Sequence, residues 1–174
     1  MEDSKSVIIR YLEDAIAAEK SFETQLRTFA KEGDDPLAHT LFAQHADETR
    51  MQYENLTARL NALGGSPSGV KSFMAHMFGM APKAASLGHE ETERVTQNLM
   101  IAYAVENSEV AMYESLATVA RLAGDSETEQ LARRIQQQER QTAEKVFALL
   151  PGEASRSYQR LVRGQKVKTA SDRT

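Results

Sequence analysis

The sequence predicts an all-α protein: an antiparallel four-helix bundle with one long crossover. Apolar residues recur at three- and four-residue spacing through four long stretches, the signature of amphipathic helices. Two of the gaps between these stretches are short and marked by Gly and Asp, whereas the third runs for roughly 20 residues. Few aromatics, no Trp, nine Gly and four Pro in 174 residues favour helices over sheet.

The first helix is expected over Ser4 to Lys31, with Val7, Ile8, Leu12, Ile16, Phe22, Leu26 and Phe29 on its stripe and Gly33 to end it. Asp35 is placed to cap the second, with Pro36 at its first position, where a missing N–H does no harm. That helix runs to Leu63, before Gly64 and Gly65. Residues 66–87 read as the crossover, holding a short amphipathic helix over Val70 to Met80. The third helix extends from about His89 to Ala123 and stops at Gly124; Asp125 or Ser126 caps the fourth, which is expected to end near Leu150, before Pro151 and Gly152.

Short turns make antiparallel hairpins, and a long connection can carry the chain from one end of a bundle to the other. The hairpins also resemble each other. With Glu19 laid on Glu109, Leu26 meets Leu116 and Ala30 meets Ala120; with one residue added at the turn, Glu48 falls on Glu139. This repeat suggests a pseudo-twofold site between the hairpins.

Acids on the apolar stripes give that site its chemistry. Glu19 lies with Leu12, Ile16, Leu26 and Ala30; Glu106 and Glu109 with Tyr113, Leu116 and Ala120; Glu139 with Ile135, Val146 and Leu150. On the second helix Leu41, His45, Gln52, Leu56 and Leu63 share a stripe, with Glu48 towards its edge. A buried carboxylate is costly unless it is paired or bound to a cation, so their convergence suggests a metal site with Glu19, His45, Glu48, Glu106, Glu109 and Glu139 as ligands. Carboxylates with a minority of imidazole suit iron or manganese, one ion or two, and zinc is an alternative. Tyr113, one turn after Glu109, is placed to hydrogen-bond a ligand. Glu13, Glu23, Glu54, Glu114 and Glu144 read as solvated surface; His39, His76 and His89 carry no such signal; and Met74, Met77 and Met80 read as an apolar lid.

Absent cysteine removes disulfides, thiolate chemistry and iron–sulfur clusters. There is no Gly-rich phosphate loop, no nucleophile–base arrangement and no nucleic-acid motif. No stretch approaches the ~20 apolar residues of a membrane span, and the first residues lack a signal peptide's pattern, so cytoplasmic placement is expected. The net charge of −4 hides a basic end, with Arg156, Arg160, Arg163, Lys166, Lys168 and Arg173 against Asp172 alone. Residues 1–155 are therefore expected to form the bundle and 156–174 a flexible basic tail. Apolar surface left over on such long helices suggests a homodimer.

At these residues the chain resembles the ferritin-like superfamily, and within it the YciE/YciF-like branch of small bacterial stress-associated proteins. The resemblance covers most of residues 8–151. Tyr11 to Lys20 is similar to that branch's first-helix motif, Gln44 to Thr49 to its second, Glu106 to Leu116 to its third, and Glu139-Arg140 followed by Ala143 to its fourth; Pro67 and the segment from Ser68 to Met74 are also similar. It implies a di-iron carboxylate centre, with Glu19 and Glu139 as terminal ligands and Glu109 as a bridge, acting in stress response or metal handling through Fe(II) oxidation. Wider members place a Glu-x-x-His pair on two helices. Here Met51 follows Glu48 and Thr142 follows Glu139 at that spacing, with His45 and Glu106 as replacement donors. The alternative is a non-catalytic structural bundle whose centre is degenerate.

Overall fold

The computed structural model describes residues 3–67 and 90–171, with side chains to residue 163. They form α1 (Ser4–Phe29), α2 (Pro36–Ala62), a 3-10 turn (Glu91–Glu93), α3 (Arg94–Leu122) and α4 (Ser126–Ser171), with no strand among the described residues. The expected short helix at Val70 to Met80, the Met74, Met77 and Met80 lid, His76 and His89 lie outside them. No helix among the described residues is long and apolar enough to cross a membrane.

Three of the four described helices begin where a side chain supplies the acceptor that the first N–H groups lack. Asp3 accepts from the Lys5 amide at the start of α1. Asp35 accepts from Ala38 N at 2.8 Å, and Asp125 from Thr128 N at 3.0 Å, so α2 and α4 start with the same cap. A capping box between Glu90 and Glu93 leads into α3.

The hairpins α1–α2 and α3–α4 meet through α1 against α3 and α2 against α4. A β-carbon at Gly64, just after α2, would lie 3.9 Å from Lys5 Nζ at the start of α1, whereas Val95 at the start of α3 packs on Gly33 in the α1–α2 turn. The chain thus leaves one end of the bundle and re-enters at the other, as a crossover requires. Gly33 has φ +77°, and a β-carbon there would meet Val95 Cγ2 at 2.2 Å, so both the turn and the seat of α3 demand glycine.

The expected end of the fourth helix at Leu150 is a correction: α4 continues through Pro151 to Ser171. Proline removes one intrahelical hydrogen bond but does not forbid continuation where other contacts hold the next turns. Here Arg156 pairs with Asp35 at 2.7 Å and with Glu153, Arg160 pairs with Asp34 at 2.7 Å, and Ser157 Oγ donates to Thr92 O at 2.9 Å. At the opposite end Arg59 of α2 ties into α4 through Asp125 at 2.6 Å and Thr128 Oγ1 at 2.9 Å.

The apolar interior is divided in two. One cluster holds Ile8, Leu12, Ile16, Leu56, Leu60, Leu116 and Ile135; the other holds Phe22, Leu26, Phe29, Phe42, Leu99 and Val146. The acids of the helical stripes occupy the level between them, because Glu19 falls between Ile16 and Phe22, and Glu139 between Ile135 and Val146.

Candidate metal centre

Four carboxylates reach the interior, one or two from each of three helices. Glu19 (α1), Glu106 (α3) and Glu139 (α4) are fully buried, and Glu109 (α3) nearly so. His45 of α2 is also buried, its ring edge-on to Phe22 at 5.6 Å between centroids. Its Nε2 lies 2.6 Å from Glu106 Oε1 and 4.0 Å from Glu139 Oε2. Among the described residues, His45, Glu106 and Glu139 each offer a ligand atom within 4.8 Å of the other two. Glu19 stands slightly apart and accepts the hydroxyl of Tyr113, which is fully buried.

The second-helix acid behaves differently. Glu48 has 41% of its side chain exposed, and its Oε2 lies 3.7 Å from His45 Nδ1, on the solvent side of the ring. It touches the histidine and does not join the interior cluster.

These groups are poorly satisfied by the protein. Glu19 Oε2, both oxygens of Glu106, both of Glu109 and Glu139 Oε2 are buried without a hydrogen-bond partner. Both His45 nitrogens also lack a hydrogen bond, and Nε2 meets Glu106 as a close ion-pair contact at 2.6 Å. Besides Glu19 Oε1 with Tyr113, Glu139 Oε1 gains a neutral donor, the Gln52 amide at 2.5 Å, which also reaches Gln138 Oε1 at 3.3 Å. Native interiors rarely leave so many polar atoms unpaired in one place.

The electrostatics follow from burial. Desolvation pushes the Glu19 carboxyl from 4.5 up to about 8 against the opposing pull of Tyr113 and His45. Glu109 and Glu139 rise well above the ordinary carboxylate range, again through burial and then through the neighbouring acids. Burial alone would lower His45, yet Glu106 and Glu48 outweigh it and raise it from 6.5 to about 9. No Arg or Lys figures among the groups acting most strongly on these acids. Arg133 of α4 pairs with exposed Glu114 and not with the buried acids.

The internal repeat is real, but its register differs from the expected one. A constant offset of 90 residues superimposes the buried positions of both helix pairs: Leu12 on Ala102, Ile16 on Glu106, Glu19 on Glu109, Phe42 on Ala132, His45 on Ile135, Leu56 on Val146. The caps Asp35 and Asp125 obey it too. The counterpart of Glu139 is therefore Thr49, not Glu48, and the counterpart of Thr142 is Gln52. Thr49, Gln52 and Thr142 are all buried, whereas Met51 is 55% exposed. The position three residues after Glu48 faces solvent, so a histidine there would not reach the centre. Gln52 was visible in the sequence as a polar residue on an apolar stripe; Thr49 carried no comparable signal.

The donor set fits a hard or borderline cation: carboxylate oxygens, one imidazole and no thiolate. His45, Glu106 and Glu139 are the residues placed to hold it, with Glu19 and Glu109 beside them.

A family model described as a domain of unknown function (DUF892) matches residues 4–159. A solved protein from Xanthomonas campestris pv. campestris is 29% identical, with 90% of this chain and 97% of that chain covered and a TM-score of 0.76. The E. coli stress protein YciF is 23% identical, covering 89% of this chain and 99% of its own, with a TM-score of 0.74. A ferritin-like, diiron-carboxylate protein from Bacillus anthracis is 18% identical over 86% of this chain and 99% of its own, with a TM-score of 0.68.

Proposed function

We infer that this chain, which belongs to DUF892 and with it to the YciE/YciF-like branch of the ferritin-like superfamily, binds a hard or borderline metal cation at the centre of its bundle. The supporting observation is the group of unpaired carboxylate oxygens on Glu19, Glu106, Glu109 and Glu139 around His45, with no lysine or arginine among the described residues that act most strongly on them. A divalent cation would replace the protons that these acids must otherwise hold.

Iron is the favoured ion, with manganese or zinc as the other members of the class that this donor set accepts. A redox-active ion bound here supplies one-electron chemistry towards dioxygen or peroxide. The chain's own residues exclude bulk water, hold the carboxylates in register through Gln52 and Tyr113, and keep one face of His45 towards Glu48 and solvent. The role this supports is metal handling under stress, with Fe(II) oxidation as the activity.

A second reading is favoured by the 2.6 Å contact of His45 with Glu106: a non-catalytic bundle whose acids are held by an internal imidazolium and by protons. Metal analysis of protein purified without chelator, followed by anaerobic Fe(II) titration and exposure to oxygen or peroxide, separates the two. Saturable binding and an oxidation phase faster than buffer, lost in Glu106→Gln, support the first. Absence of bound metal under iron-replete conditions supports the second.

A further inference from the structure

We propose that the centre is built for one cation, held by α2, α3 and α4 through His45, Glu106 and Glu139, and that the position of a second ion on the α1–α2 side has been lost. This rests on the reading that the bundle binds metal, and goes beyond it by fixing where the ion sits and how many there are.

A pair of ions related by the bundle's pseudo-twofold axis needs matching donors from both hairpins: a Glu on each first helix and a Glu-x-x-His on each second. The 90-residue offset identifies these positions without reference to any other protein. The first helices satisfy the requirement with Glu19 and Glu109. The second helices do not. On α4 the pair is Glu139 and Thr142; on α2 it is Thr49 and Gln52, so the second-helix acid is present once and neither imidazole is present.

What remains on the α1–α2 side does not replace them. Thr49 Oγ1 and Gln52 Oε1 are neutral oxygens, and both are buried without hydrogen-bond partners. Glu19, the one interior carboxylate that side contributes to the acid cluster, accepts the Tyr113 hydroxyl at Oε1 and so offers a single oxygen, Oε2. Gln52 directs its amide nitrogen at Glu139 Oε1, leaving Oε2 of that carboxylate 4.0 Å from His45 Nε2. The α2 residue that would have bound a second ion instead orients a ligand of the first. Meanwhile His45 and Glu106, absent from the pseudo-symmetric set, add an imidazole and a carboxylate one turn away and complete a three-residue cluster with Glu139.

The test is equilibrium loading of the full chain with Mn(II) and, separately, Co(II) under anaerobic conditions, reading metal per chain and, for Mn(II), the electron paramagnetic resonance spectrum. The expected result is one ion per chain and the spectrum of an isolated ion. Glu106→Gln and His45→Ala weaken binding by more than the roughly 10- to 100-fold that loss of an outer-shell partner costs. Glu19→Gln, which retains an oxygen for Tyr113, keeps one ion per chain. Gln52→Ala keeps the count and weakens affinity by roughly 10- to 100-fold. The double substitution Thr49→Glu with Gln52→His raises the count to two. Two ions per wild-type chain with the spectrum of an interacting pair, or loss of the ion in Glu19→Gln, would overturn the proposal. No binding by wild type overturns the metal-centre reading itself. The wild-type count decides even if a variant fails to fold.

Discussion

Tyr113 of α3 donates its hydroxyl to Glu19 Oε1 of α1, so the two hairpins are joined by a hydrogen bond buried at the level of the acids. This bond opposes the upward push that burial exerts on the Glu19 carboxyl. Tyr113→Phe keeps the ring and removes the donor. The substitution is expected to lower the stability of metal-free protein by about 1–3 kcal/mol, the usual cost of leaving a buried acceptor unpaired. Denaturant unfolding of both proteins under chelation measures it.

The pH dependence of metal-free protein has a definite sign. Glu19 titrates at about 8 when folded, so between 4.5 and 8 the native state holds a proton that the unfolded chain has released. His45, raised to about 9, acts in the same direction between 6.5 and 9. Both contributions are complete at low pH and disappear as pH rises through the folded values. The thermal midpoint under chelation should fall from pH 6.5 to pH 9. With saturating metal the trend should flatten or reverse, because ligands bind in their deprotonated forms.

Glu48 should matter for access more than for holding. It is the half-exposed acid facing His45 Nδ1, and that histidine holds its carboxyl below the ordinary range. Glu48→Gln is expected to leave metal per chain unchanged while slowing uptake a few-fold, a loss that shrinks with added salt as for any steering charge. Stopped-flow loading at two ionic strengths reads this directly. An unchanged rate together with a lower metal count would instead make Glu48 a resident ligand.

Asp35 serves two elements, capping α2 through Ala38 N and receiving Arg156 from α4. Asp35→Ala should cost about 1–2 kcal/mol for the cap. It should also speed tryptic cleavage at Arg156 and Arg160, whose anchorage on the α1–α2 turn is weakened. Limited proteolysis followed by mass spectrometry detects the second effect separately from the first.

What the sequence revealed and concealed follows the range of the interactions involved. Helical periodicity is local, so the stripes of α1, α3 and α4 disclosed Glu19, Glu106, Glu109 and Glu139 as inward, and His45 with them. The relative register of the hairpins is not local. Asp35 is legible as the cap from Pro36 after it, and the hydrogen bond from Ala38 N bears that out, but matching Gly33-Asp34 to Gly124-Asp125 rather than cap to cap moves the overlay by one residue and favours Glu48 over Thr49. One residue is about 100° on a helix, which separates half-exposed from buried. Pro151 misled for a related reason: its local preference to stop a helix is overridden by Arg156, Ser157 and Arg160, each of which has a partner 61 or more positions away in the chain.

The split interior has a mechanical consequence. Leu12, Leu60 and Leu116 cushion one end and Phe22, Phe42 and Leu99 the other, with ionisable groups at mid-height where oily packing contributes little. A cation at mid-height would act as a rivet through three of the four rods, fastening them at their loosest level.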